Sequence, residues 1–258
     1  MSKVALVIGG TGGLGRACAE DLASTGYSVI VAGRNKSKGD DIVAYIKSKG
    51  GKATFLPVDM TDPASIKQFH QDAVKTYGRL DAAINAAGLT GDFCKLVDSS
   101  AENTAKILQI NLAGVIGSMQ EQIRAMQSNP GGSRGNIVNF TSIYGLHGCK
   151  FGSIYSATKH ALVGITKSAA LEYSNPTDNI LVNAVAPGLI VTKMTAVLAD
   201  PSAIPEGEMK NFIKTLPTQY AQQRFGEVED VARGVRYLLE SAWVTGTVLE
   251  IEGGFGAK

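Results

Sequence analysis

Val4-Ala5-Leu6-Val7-Ile8-Gly9-Gly10-Thr11-Gly12-Gly13-Leu14-Gly15-Arg16 is the stretch on which the architecture turns. The five apolar residues are far too few to span a bilayer and run straight into glycines, which marks a buried strand. Five glycines follow within seven residues, and helical spacing begins near Arg16. Glycines at this place let the chain turn sharply and bring its backbone close to a pyrophosphate held at the helix N-terminus. The pattern G-x-G-x-x-G fits Gly10, Gly12 and Gly15, but so rich a run satisfies several registers, and a plain structural turn is the competing reading. The strand before and the helix after favour a dinucleotide.

Outward from this turn, short apolar runs ending in Gly, Asp, Asn or Ser alternate with longer amphipathic stretches, the signature of a parallel sheet covered by helices. Seven strands are expected, at Val4–Gly9, Ser28–Ala32, Ala53–Val58, Leu80–Asn85, Gly135–Phe140, Ile180–Ala186 and Val248–Ile251. Helical spacing falls at Arg16–Thr25, Lys36–Lys49, Ser65–Tyr77, Asn103–Gln127, Tyr155–Tyr173 and Val228–Leu239. With no linker-like change of composition and no internal repeat, residues 1–258 are expected to form one doubly wound α/β domain with helices on both faces of the sheet. Segment 189–222, which holds Pro201, Pro205 and Pro217 among apolar residues, breaks the rhythm. Such an excursion suits a substrate lid.

Composition narrows the function classes. Hydrophobic residues at 44% and charged residues at 19% describe a globular chain with a sizeable core. The 25 basic and 23 acidic residues are interspersed, so no basic stripe points to nucleic acid. No apolar run approaches the roughly 18 residues of a membrane span, and the N-terminus has no signal-peptide pattern. Cys18, Cys94 and Cys149 are odd in number and far apart, which suits free thiols in the cytoplasm better than disulfides or a metal site.

Two places carry chemistry. At the end of the second strand, Val31-Ala32-Gly33-Arg34-Asn35-Lys36 offers no carboxylate for a ribose 2′-hydroxyl. Arg34, backed by Lys36 and Lys38, suits a 2′-phosphate and points to NADP(H), with NAD(H) left open and solvated helix-start charges as the plain alternative. Further on, Tyr155 and Lys159 are four apart on one helical face. A phenol of pKa near 10 becomes a competent general acid/base when an ammonium and an oxidised nicotinamide lower that value. Ser142 follows a strand at the carboxyl edge of the sheet, where its hydroxyl can hold a substrate oxygen. Asn85-Ala86-Ala87-Gly88 closes another strand at the same edge, and Asn111 is an amide inside a long helix.

Taken in order, these motifs resemble those of the short-chain dehydrogenase/reductase family over essentially the full length. The likeness covers the turn at Gly9, Gly13 and Gly15, then Asp59, Asn85 to Gly88, and the tetrad positions Asn111, Ser142, Tyr155 and Lys159. It continues through Asn183 to Gly188, Thr245-Gly246 and Gly253-Gly254. The resemblance implies a Rossmann fold and hydride transfer between a nicotinamide and an alcohol or carbonyl substrate. Tyr155 would be the acid/base, Ser142 would orient the carbonyl, Lys159 would lower the tyrosine pKa and hold the ribose, and Asn111 would support a relay water. Gly9, Thr11, Gly13, Leu14, Gly15, Arg34, Asn85, Ala86 and Gly88 would line the cofactor crevice. Asp59 and Met60 would meet adenine, and Pro187, Gly188, Ile190 and Thr192 the nicotinamide. It also implies a homotetramer or dimer built through the helices at 103–127 and 155–173. Two positions depart from the pattern: Ile8 stands where a threonine is usual, and Gly12 where many NADP(H) users carry a basic residue.

Other reactive residues read as bystanders. His147, Cys149 and Cys94 border the expected substrate pocket, His160 faces away from Tyr155, His70 belongs to a surface helix, and Trp243 packs near the last strand. The functional alternative is a regulatory or non-redox protein that holds the cofactor on the same scaffold. Such a protein has no need of Tyr155 or Lys159, and both are present.

Overall fold

The computed structural model describes residues 2–192, 195, 202 and 206–257. Their centre is a seven-stranded sheet in the order β3-β2-β1-β4-β5-β6-β7. The strands are β1 Val4–Ile8, β2 Ser28–Gly33, β3 Lys52–Pro57, β4 Ala82–Asn85, β5 Gly135–Phe140, β6 Ile180–Pro187 and β7 Val248–Ile251. Every neighbouring pair is parallel. The helices are α1 Gly13–Ser24, α2 Lys36–Ser48, α3 Pro63–Tyr77, α4 Ala101–Leu108, α5 Gly114–Gln127, α6 Ser153–Tyr173, α7 Glu208–Thr215 and α8 Val228–Glu240.

The two-residue period of the strands assigns the faces. Leu6, Ile8 and Ile30 join Ile66, Phe69, Val115, Met119 and Leu162 of α3, α5 and α6 on one side. Ala5, Val7, Val29 and Val31 join Cys18, Leu22, Ile42, Ile46 and Val235 of α1, α2 and α8 on the other. Leu6, Val7 and Ile8 are wholly buried, and each such side chain contributes roughly 1.5–3 kcal/mol by leaving water. The strand order reverses between β1 and β4, and that switch point opens the crevice in which doubly wound sheets hold ligands.

Three expectations need correction. The helix expected at Asn103–Gln127 is two helices, α4 and α5, joined by a π turn over Gln109–Ala113. Apolar spacing runs through that turn and hides it. Trp243 does not pack near the last strand: it is 99% exposed. His70 is not at the surface but 3% exposed, bonded through Nδ1 to the Ile66 carbonyl at 2.8 Å, while its Nε2 has no partner. Burial holds its imidazole below the ordinary value, partly opposed by the Ile66 carbonyl and Glu121.

The folded chain therefore takes up a proton at His70 less readily than the unfolded chain does, and this favours the unfolded chain once the pH drops below about 6.5. The melting temperature is expected to fall between pH 7.5 and pH 5.5, and His70→Gln to shrink that difference. The same pH dependence in both proteins would show that His70 does not carry it.

Candidate active site

The glycine turn folds as a cradle. Gly9 has a φ of 81°, and a Cβ there would lie 2.7 Å from the Ala87 amide nitrogen; one at Gly15 would collide with the Gly9 carbonyl oxygen. A Cβ at Gly13 would lie 2.8 Å from the Thr192 methyl. Gly9, Gly10 and Gly15 are thus held to glycine by backbone closer than 3.0 Å, Gly13 meets the Thr192 side chain, and Gly12 meets only the Gly9 oxygen at 3.7 Å. The Gly12 position caps α1 without a side chain, although α2 and α3 are capped by Asn35 and Asp62. First-turn N–H groups of α1 are left for an anion at its positive end. Leu14 packs its side chain into the second core face, and the Thr11 hydroxyl sits against Gly33.

Arg34 follows β2 and is exposed, while Lys36 behind it is paired with Asp40 at 2.6 Å. Across the crevice Asp59 accepts from the Thr61 amide at 2.9 Å and its hydroxyl at 2.8 Å. Those bonds chiefly, and the Arg34 guanidinium in smaller part, hold its carboxyl below the usual range. Met60 is buried beneath it. The Ala86 amide donates to the Ile8 carbonyl at 2.9 Å and carries the chain from β4 past the glycine turn. The side chain of Asn85 points into the core instead, bonded to Gln122 at 2.8 Å and Asn139 at 2.8 Å. Only its main chain is left for a cofactor.

At the far end of the crevice, Pro187 ends β6 and the Gly188 amide donates to the Ile251 carbonyl at 2.9 Å. Ile190 is buried in a parallel bridge to Gly226. Thr192 bonds to Thr195 and lays its methyl over Gly13, so the loop after β6 and the first turn of α1 meet across the crevice.

Asn111, Ser142, Tyr155 and Lys159 converge where β4, β5 and α6 come together. The buried Lys159 ammonium donates to the Phe140 carbonyl at 2.7 Å and lies 5.6 Å from the centre of the Tyr155 ring. A Cβ at Gly88 would lie 3.4 Å from Asn111 Oδ1 and 3.5 Å from Lys159 Nζ. Burial lowers Lys159 to about 8 and pushes Tyr155 up to about 12, the latter opposed by a side-chain hydrogen bond with Ser142. Asn111, wholly buried in the π turn, donates to the Leu89 carbonyl at 2.8 Å and accepts from the Leu89 amide at 2.8 Å. Its amide is committed to the loop after β4, so a water at this turn would have to be met by main-chain groups.

The walls come from three segments. Glu208 on α7 pairs with Lys150 at 2.8 Å and Lys95 at 3.6 Å, and Phe212 meets Phe151 at 6.0 Å between ring centres. Helix α7 therefore closes over the segments that precede α6 and follow β4. Within the 189–222 excursion, residues 193–194, 196–201 and 203–205 lie outside the described residues. Among the described residues no group of His, Cys, Asp or Glu is arranged to hold a metal, and no helix is long and apolar enough to cross a membrane.

The family model described as short chain dehydrogenase matches residues 3–202. The chain belongs to that family. Among relatives of this short-chain dehydrogenase, carbonyl reductase family member 4 of Danio rerio is 35% identical, the match covering 98% of both chains. Cyclohexanol dehydrogenase of an Acinetobacter species is 34% identical over 100% of this chain and 96% of its own. A variant of actinorhodin polyketide ketoreductase, solved with NADPH, superposes with a TM-score of 0.89 at 30% identity over 100% of this chain and 98% of its own.

Several residues around the site of this short-chain dehydrogenase were not singled out from sequence. The Tyr220 hydroxyl accepts from the Leu189 amide at 3.0 Å. Phe255 brings its ring to those of Tyr220 at 5.4 Å, His147 at 5.5 Å and Tyr144 at 6.3 Å. Thr158 lies 3.4 Å from Asn111 Nδ2. Tyr144 had a signal, standing two places after Ser142 in the segment expected to line the pocket. Tyr220 had one as well, standing inside the 189–222 excursion, whereas Phe255 had none, because it arrives from the far end of the chain.

Proposed function

We propose that the chain is an NADP(H)-preferring oxidoreductase that reduces a ketone or oxidises a secondary alcohol, with Tyr155 as general acid/base. The observation that carries this reading is the convergence of Tyr155, Ser142 and Lys159 beside an uncapped, glycine-cradled helix N-terminus. The cradle, Arg34 and the loop at 187–192 would hold the dinucleotide, and the names of similar proteins, among them one solved with NADPH, agree with that. Bound there, the reduced nicotinamide supplies the hydride.

The chain's own residues handle the proton. Tyr155, protonated at neutral pH, donates from its hydroxyl to the substrate oxygen while Ser142 orients that oxygen from the other side. In the oxidation direction Tyr155 must accept the proton, and the Lys159 ammonium stabilises the phenolate that this requires. The whole chain acts as one cofactor-binding domain, and segment 189–222, with α7 latched through Glu208, serves as the substrate lid. The free thiols of Cys18, Cys94 and Cys149 suit a reducing cytoplasm. A screen of ketones and secondary alcohols, followed by absorbance of the reduced nicotinamide, tests the reading. Turnover of at least one carbonyl class is expected, and turnover of none across a broad panel would count against it.

The assembly is expected to be a homotetramer or dimer formed through α4, α5 and α6, where a two-fold axis makes the contacts self-complementary. Trp243 and Leu171, at 99% and 88% exposed, add apolar surface that suits a covered face. Light scattering at micromolar concentration should give two or four chains per particle. A strictly monomeric particle would refute this.

A further inference from the structure

Phe140, Thr141 and Ser142 leave the end of β5 in succession, and each engages α6. The Phe140 carbonyl accepts the Lys159 ammonium at 2.7 Å. The Thr141 hydroxyl donates to the Lys159 main-chain carbonyl at 2.8 Å. Ser142 shares a side-chain hydrogen bond with Tyr155. Of these contacts, only that of Thr141 reaches the backbone of the helix.

Its setting is tight. Thr141 is 4% exposed, and its amide donates to the Val185 carbonyl of β6 at 2.9 Å, so the residue is fixed to the sheet. A Cβ at Gly145 would collide with the Thr141 hydroxyl and lie 2.8 Å from the Lys159 carbonyl oxygen. The absence of a side chain at 145 is therefore what lets the hydroxyl reach the helix. A carbonyl in mid-helix has a second lone pair for such a bond, and a hydroxyl buried this deeply is costly to leave unpaired.

We propose that Thr141 is a positioning residue: its bond to the Lys159 backbone sets α6 against the end of β5 and so keeps Tyr155 and Lys159 in register with Ser142. The inference rests on the roles assigned to those three residues above. The side-chain bond from Lys159 to Phe140 does not do the same work, because it fixes the tip of a long flexible side chain and not the main chain of the helix. The Thr141 bond is made to the main-chain carbonyl and does not depend on where that side chain points. An error of about an ångström in such a register is enough to slow a reaction by about a hundred-fold.

The test compares Thr141→Val, which keeps the shape and loses the hydroxyl, with Thr141→Ser, which keeps the hydroxyl, and with Gly145→Ala, which displaces it. In Thr141→Val, kcat should fall about ten-fold to a hundred-fold while KM for the ketone stays within about three-fold. The acid-side limb of kcat/KM for alcohol oxidation should move to higher pH, since an ammonium held less closely stabilises the phenolate less. Thr141→Ser should recover most of the rate and the wild-type limb, and Gly145→Ala should behave like Thr141→Val. Wild-type kcat in Thr141→Val, a lower kcat with an unmoved limb, or a serine variant as impaired as valine would each overturn the proposal. If Thr141→Val does not fold, the other two decide: a recovered serine variant with a shifted limb in Gly145→Ala supports it, and any other pairing overturns it. Tyr155→Phe, run alongside, separates the failures, because an active phenylalanine variant removes the underlying roles and not Thr141 alone.

Discussion

Tyr155→Phe is expected to lower turnover by about 10²–10⁴-fold, the contribution usual for a positioned general acid/base, while cofactor binding stays nearly intact. Only the hydroxyl is lost, and the ring remains beside the Lys159 ammonium at the same place in α6. Lys159→Ala is expected to damage both rate and cofactor binding, because in the proposed roles one ammonium would serve both the tyrosine and the ribose. The fold should survive, since the core around α6 is made by Leu162, Ala169 and Ala170 rather than by the site residues. Rates from stopped-flow absorbance and affinities from fluorescence of the reduced nicotinamide check the two halves separately. A Tyr155→Phe variant within a few-fold of wild type would remove the mechanism.

Arg34→Ala is expected to erase a preference for NADP(H) over NAD(H) of about ten-fold or somewhat more. A guanidinium and a 2′-phosphate form charge-assisted hydrogen bonds, which contribute on the order of 1.5–3 kcal/mol. The lower part of that range applies here for two reasons. Gly12 supplies no second cation, and the carboxylate of Asp59 already draws on the Arg34 charge. Lys36 is engaged with Asp40 and adds little. The comparison is kcat/KM for both cofactors in wild type and variant at one fixed ionic strength, because exposed phosphate pairing is screened by salt. Equal wild-type values, or a preference that outlasts the substitution, would show that the end of β2 does not choose the cofactor.

The sheet was legible because buried parallel strands are apolar runs with turn residues at their ends. β5 and β7 fall at the expected bounds, and the others differ from them by no more than two residues at either end. The family resemblance picked out Asn111, Ser142, Tyr155 and Lys159 by their order along the chain, and the structure brings these four residues together. What stayed hidden depended on contacts between distant segments. Nothing in Asn85-Ala86-Ala87-Gly88 says that the first side chain turns inward, because that depends on Gln122 and Asn139 across the sheet. The glycine register was ambiguous until the backbone of Ala87, Val7 and Gly9 showed that positions 9, 10 and 15 tolerate no side chain. His70 was legible and was misread: Ile66, Phe69, His70 and Ala73 share one helical face, and all four are buried. The π turn at Asn111 leaves no mark in a pattern that remains helical on both sides.

Hydride transfer itself is tested most directly by isotope. With a ketone that the wild-type protein reduces and a cofactor deuterated at the transferring position of its reduced nicotinamide, mass spectrometry of the alcohol should show one deuterium on the carbinol carbon. That label should disappear with Tyr155→Phe as turnover does. Cofactor that binds and leaves unchanged across a broad range of ketones, or an alcohol formed without the label, would contradict the account.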